Sequence, residues 1–137
     1  MPLCYMPLVT VIIPVYCVQS YIRQCIDSVI NQTYKNLEIL CIDDCGDDAS
    51  ISILRMVAKD DKRVKIIRHP KNLGLGEARN TGIKLSSGDY LFFLDSDDWI
   101  RQETIEKLVD AANRDHADII IGSGLAFTNE KCLEVVA

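Results

Sequence analysis

The chain has 137 residues, 48% hydrophobic and 26% charged, which predicts one soluble globular domain with a substantial core. Its formal net charge is -5 with no basic stripe, arguing against nucleic acid as a partner and making a phosphate-bearing ligand awkward unless a cation mediates. The six cysteines do not suggest a disulfide scaffold: Cys25 falls on an apolar helical stripe, Cys41 in an apolar strand run, and Cys41 and Cys45 lack a partner pair at zinc spacing. Reduced thiols and a cytoplasmic setting are expected. The N-terminus has no basic segment and the next apolar run is broken by Pro14, so neither a signal peptide nor a membrane span is expected. Attachment to the inner face of a membrane through other parts of a longer protein stays open.

Leu8 to Ile13 is β-branched and apolar, a buried first strand whose pairing Pro14 should end. Ser20 is placed to cap a helix with Ile22, Cys25, Ile26, Val29 and Ile30 on one face. Leu37 to Ile42 forms a second strand, Ser50 to Lys59 a weaker amphipathic helix, and Val64 to Arg68 a third strand. His69 to Gly76 is a breaker-rich loop in which His69, next to Pro70, reads as a turn residue. Glu77 to Leu85 is a helix with Ala78 and Gly82 on a close-packed face. Tyr90 to Leu94 has the unbroken apolar character of a strand buried on both faces. Arg101 to Arg114 follows as a helix and Ala117 to Ile121 as a fifth strand, and the pattern dissolves from Leu125. The alternation predicts an α/β fold, a mostly parallel, doubly wound, Rossmann-like sheet flanked by helices. Residues 1–124 are expected to form one α/β domain, and 125–137 the start of a further region.

In such sheets ligands bind beyond the carboxyl ends of the strands. Two of those ends are acidic. Asp95, Asp97 and Asp98 crowd three like charges into four residues, a cost that a hard divalent cation relieves. Magnesium or manganese takes oxygen ligands and keeps positions open for phosphate oxygens, so Asp95-Ser96-Asp97 reads as a clamp for a metal-diphosphate. After the second strand, Asp43 or Asp44 can accept the ring N–H of a base; one should face the ligand and the other the backbone, and pleat alternation does not say which. Asp47 and Asp48 read better as helix-capping acids. Tyr16 can lay its ring on a base or ribose, or serve as a core aromatic. Arg79 lies near a Gly-rich bend from which it can reach a phosphate, although Gly74-Leu75-Gly76 lacks the spacing of a dinucleotide fingerprint.

Taken together, Val11-Ile12-Ile13-Pro14-Val15-Tyr16, Ile42-Asp43-Asp44, Asn72-Leu73-Gly74, Ala78-Arg79-Asn80-Thr81-Gly82 and Phe93-Leu94-Asp95-Ser96-Asp97-Asp98 resemble, in order and spacing, the family 2 glycosyltransferases. The resemblance covers roughly the first hundred and twenty residues. It implies a GT-A fold whose first half binds a nucleotide-diphosphosugar. By position, Pro14 and Tyr16 would line the nucleoside pocket, and Asp44, with Asp43, would read the base. Asp95, beside Ser96, would lie toward the ribose and metal, Asp97 would ligate Mg or Mn, and Arg79 and Asn80 would support the donor pocket. Two positions depart from the pattern: Cys17 stands where Asn is usual after the Tyr, and Cys45-Gly46 where Gly-Ser is usual after the acid pair.

The function this implies is inverting, metal-dependent transfer of a sugar, expected from a UDP-sugar, to a hydroxyl of a glycan, lipid-linked or other acceptor in glycan or cell-surface polysaccharide synthesis. The resemblance also implies a general base on an acceptor-binding part outside these residues, leaving this chain alone with little activity. Two other chemistries use similar acids. A phosphohydrolase with an Asp95 nucleophile would need its motif after the first strand and a downstream lysine. A magnesium-binding receiver-like module wants acids after the first strand and a lysine after the fifth, where Ile121-Gly122 stand.

Overall fold

The computed structural model describes residues 5–127 and 132–135. Four parallel strands form the central sheet in the order β3-β2-β1-β4: β1 Val9–Val15, β2 Leu37–Asp43, β3 Val64–Arg68 and β4 Tyr90–Phe93. Between and after them run α1 Ile22–Ile30, α2 Ser50–Asp60, α3 Leu75–Leu85 and α4 Thr104–Asp115. The α/β, doubly wound reading therefore holds.

Strand alternation sorts the core into two layers. Val9, Val11, Ile13 and Val15 of β1 share one buried cluster with Cys25 and Ile26 of α1, Leu54 of α2, and Ile105 and Val109 of α4. Ile12 faces the other way, with Leu40, Ile42 and Ala78 of α3. Helix α3 approaches closely because Gly82 has no side chain: a Cβ there would sit 2.4 Å from Ile12 Cγ2.

Pro14 does not end β1, which runs to Val15 with Pro14 aligned on Ile42. The carbonyl of Val15 accepts from Asp44 N on the β2 side, whereas that of Ile12 accepts from Leu94 N on the β4 side. Pro14 has the same parity as Ile12, so its missing donor falls on the side where β4, last paired at Phe93, has already ended.

Two expectations near β4 are overturned. The strand is at the sheet edge, with Leu91 39% and Phe93 46% exposed, so it is not buried on both faces. Residues 117–121 form no strand; Ile119 and Ile121 stand in solvent, apart from β4 across a cavity of about 410 Å3 lined by Phe92, Leu108 and Ile120. Apolar composition alone does not make a strand without a partner to take its hydrogen bonds. Beyond, β5 Gly124–Phe127 and β6 Cys132–Val135 pair antiparallel, in the stretch expected to begin a further region and for which no element is read from the sequence. Among the described residues no helix is long and apolar enough to cross a membrane.

At the amino end of the sheet, Glu38 ties three strands. Its buried carboxylate accepts from Thr10 Oγ1 at 2.9 Å, Ser87 N at 2.8 Å, Ser87 Oγ at 2.9 Å and Lys65 Nζ at 3.1 Å. Gly88 next to it has no room for a Cβ, which would lie 2.5 Å from Thr10 Oγ1. Burial opposes the charge on Glu38, yet these donors outweigh it and hold the pKa down at about 2.

Candidate functional site

The strand order reverses between β1 and β4, and a crevice opens at such a point beyond the carboxyl ends. Tyr16 follows β1 and is 53% exposed there. Its loop is tied to the one after β2: Val18 N donates to Ser50 Oγ at 3.0 Å, Gln19 N to Asp48 Oδ2 at 2.9 Å, and Ala49 N to Gln19 Oε1 at 3.0 Å. Asp48 also accepts from Ser50 N at 3.0 Å, at the start of α2, in keeping with its reading as a capping acid. Cys17 and Cys45 both have positive φ, 49° and 63°. Asn and Gly, the usual residues there in the pattern, adopt that conformation at least cost, so the two cysteines hold it with some strain.

Asp43 and Asp44 are both buried, with unlike surroundings. Both oxygens of Asp44 are engaged from inside the protein. Its Oδ1 accepts from Leu73 N and lies against His69 Nδ1, both at 2.8 Å, and its Oδ2 accepts from Gly74 N at 2.8 Å. Burial works against its charge, but these hydrogen bonds prevail and hold its carboxyl below the usual range. Asp43 accepts from Gly46 N through Oδ1 at 3.2 Å. Its Oδ2 is buried without a hydrogen bond; Arg68 Nε stands 3.3 Å away, at ion-pair range but without the geometry of a hydrogen bond. A buried carboxylate oxygen with unused acceptor capacity is the feature a ligand N–H would complete.

Beyond β4, Leu94 and Ser96 are buried while Asp95, Asp97 and Asp98 are exposed. Arg79 Nη2 reaches Asp95 Oδ1 at 3.0 Å, joining α3 to the acidic turn. Although exposed overall, Asp98 has its carboxyl raised above the usual range, first by partial desolvation and then by the charges of Asp97 and Asp95. Asp95 and Asp97 suit a hard cation shared with phosphate oxygens and water. Among the described residues no three His, Cys, Asp or Glu side chains form a protein-only cage. Of the remaining expected residues, Pro14 is buried within β1, and Asn80 is exposed on α3 with its amide 3.4 Å from Glu77 Oε1.

The sequence model of the family described as Glycosyl transferase family 2 matches residues 10–131. The chain belongs to glycosyl transferase family 2. Glycosyltransferase GlyA of Streptococcus pneumoniae serotype 4 is 44% identical over 123 residues, covering 90% of this chain and 18% of that protein. The fold is that of GT-A glycosyltransferases of known structure. Residues 1–349 of S. aureus TarS, crystallised in complex with UDP, superpose with a TM-score of 0.77 at 28% identity over 81% of this chain and 33% of that one. The mannosyltransferase PcManGT from Pyrobaculum calidifontis, in complex with GDP-Man and Mn2+, gives 0.74 at 26% identity over 88% and 35%. This family 2 chain thus spans well under half the length of those three proteins.

His69 is the residue that its sequence context misread. It is 5% exposed, between Asp44 and Thr81. A signal exists in hindsight: β2 and β3 align Asp43 with Arg68, which sets the next residues, Asp44 and His69, side by side.

Proposed function

We propose that residues 1–124 are the donor-binding part of an inverting, metal-dependent glycosyltransferase that moves a sugar from a UDP-sugar to an acceptor hydroxyl in glycan or cell-surface polysaccharide synthesis. The observation that carries the reading is the unbonded, buried Asp43 Oδ2 at the carboxyl end of β2, close to exposed Tyr16 after β1 and on the same edge as the acids after β4.

In this reading Asp43 accepts the ring N–H of uracil, a bond strengthened by the charge on the carboxylate. Tyr16 offers its ring to the nucleoside, with Pro14 behind it in the strand. Asp44 shapes the pocket from beneath, since its own oxygens are already engaged. Asp97, with Asp95, would hold Mg or Mn, and Arg79 keeps Asp95 in place while offering a positive charge near the diphosphate. The cation supplies Lewis-acid neutralisation of the charge on the departing diphosphate. Deprotonation of the acceptor hydroxyl is assigned to no residue of this chain. The whole enzyme is placed in the cytoplasm at the membrane face, where nucleotide-activated donor and a lipid-linked or glycan acceptor meet.

Calorimetry with UDP and Mn2+ tests the reading. Binding that is abolished by chelator and reduced about tenfold or more in Asp97→Asn supports it. Absent binding, or binding indifferent to chelator and to Asp97, overturns it.

A further inference from the structure

We propose that His69 is a positioning residue of the donor site: it fixes the Leu73–Gly74 turn and helix α3 against the carboxyl end of β2, and so sets Arg79 relative to Asp43. The proposal rests on the donor-site reading above.

The geometry is a buried bridge among three elements. His69 N donates to the carbonyl of Asp43 at 2.8 Å, continuing the β2–β3 ladder by one residue. Its ring then spans from Asp44 Oδ1, 2.8 Å from Nδ1, to Thr81 Oγ1 on α3, 2.7 Å from Nε2. Asp44 simultaneously takes the amides of Leu73 and Gly74, and Gly74, at φ 94°, is the N-cap of α3. One carboxylate and one imidazole therefore determine where α3 begins and where its second turn is held.

The apolar packing of α3 does not do this alone. The helix meets the sheet through Ala78 and Gly82, two small and smooth residues. Such a contact sets the distance between helix and sheet and seats Ile12 against Gly82, but burial and dispersion carry no directional requirement of their own. A hydrogen bond has a required direction and length. The His69–Thr81 bond lies two residues beyond Arg79, whose guanidinium meets Asp95, so it fixes the slide of the segment that delivers Arg79.

Proton placement follows from the partners. Asp44, held ionised, only accepts, so Nδ1 carries a hydrogen. In the neutral ring Nε2 then accepts from the Thr81 hydroxyl. Carboxylate, imidazole and hydroxyl stand in the order of a hydrolase triad. Here each side chain joins one element to another and the ring is shielded from solvent, which suits holding rather than attack.

The test uses this chain with UDP and Mn2+ as the probe, together with ring 15N spectra and amide exchange. The expected results are an Nδ1–H tautomer for His69, and about fivefold weaker UDP binding in Thr81→Val with a melting temperature close to wild type. His69→Asn, which keeps a donor toward Asp44 but cannot reach Thr81, should preserve slow exchange at Leu73 and Gly74 while losing the same affinity. His69→Ala should lose both. An Nε2–H tautomer with bare Nδ1, or UDP affinity unchanged in both Thr81→Val and His69→Asn, overturns the proposal. Should wild type bind no UDP, the donor-site reading fails, and the tautomer and the exchange of Leu73 and Gly74 in His69→Ala still decide whether His69 is the bridge. If His69→Ala does not fold, His69→Asn and Thr81→Val decide.

Discussion

Arg79 Nη2 stands 3.0 Å from Asp95 Oδ1, so the helix after the glycine-containing loop and the acid-ended strand meet through one ion pair. Both side chains are part exposed, 39% and 48%, and a pair so exposed is worth roughly 0–1 kcal/mol to stability. Its value is positional. Arg79→Ala should therefore melt within a few degrees of wild type yet bind UDP with Mn2+ about tenfold more weakly, as read by calorimetry. A large drop in melting temperature with unchanged affinity would contradict that division.

The two neighbouring acids after β2 should separate in the same way. Asp44→Asn keeps one carbonyl oxygen, which can still accept from Leu73 N and His69, but sets its NH2 against Gly74 N, leaving that donor unmet and removing the buried charge that all three donors face. A loss of about 2–3 kcal/mol in urea unfolding is expected. Asp43→Asn can keep the bond from Gly46 N on its remaining oxygen and gives up only the charge beside Arg68 and the acceptor at Oδ2. It should cost about 1 kcal/mol or less in stability while UDP binding falls about tenfold or more.

Stability should also depend on acid pH through Glu38. A carboxyl whose folded pKa lies below its unfolded value contributes stability that is complete above the unfolded value and disappears as pH falls toward the folded one. For Glu38 that window runs from its ordinary 4.5 down to about 2, and Asp44 acts in the same direction. Urea midpoints should fall across this range, with about 3 kcal/mol attributable to Glu38. Glu38→Gln should start less stable at neutral pH and show a flatter dependence; an unchanged slope would show that Glu38 is not the group responsible.

Gly82→Ala probes the contact of α3 with the sheet. The added methyl would meet Ile12 Cγ2 at 2.4 Å, an overpacking cost of roughly 1–3 kcal/mol that exceeds the gain in helix propensity of about 1 kcal/mol. A net drop in melting temperature is expected. Because Ile12→Ala removes the obstructing atoms, the double variant should lose less than the sum of the two single losses.

Residues 10–94 show how far local pattern reaches. Period and composition located β1 to β3, α1 and α2 closely and marked the strand-end loops that carry the acids, because burial on a strand or helix face imposes a repeat that any window of sequence displays. The family resemblance assigned Arg79 and Asp95 to one donor pocket; their 3.0 Å ion pair is invisible to local pattern. It misjudged β4, since an apolar run signals burial without saying whether a neighbour strand is present, and 117–121 for the same reason.

By itself, then, the amino-acid sequence determined the fold class, the family and the edge of the sheet where the acids gather. Tertiary structure alone decided which of two adjacent aspartates has both oxygens hydrogen-bonded by the protein and which keeps one without a hydrogen bond, that His69 is a bridge and not a turn residue, and that Glu38 closes the opposite end. Those outcomes depend on what lies across a register from each side chain, and hydrogen-bond partners far apart in the chain leave no periodic trace along it.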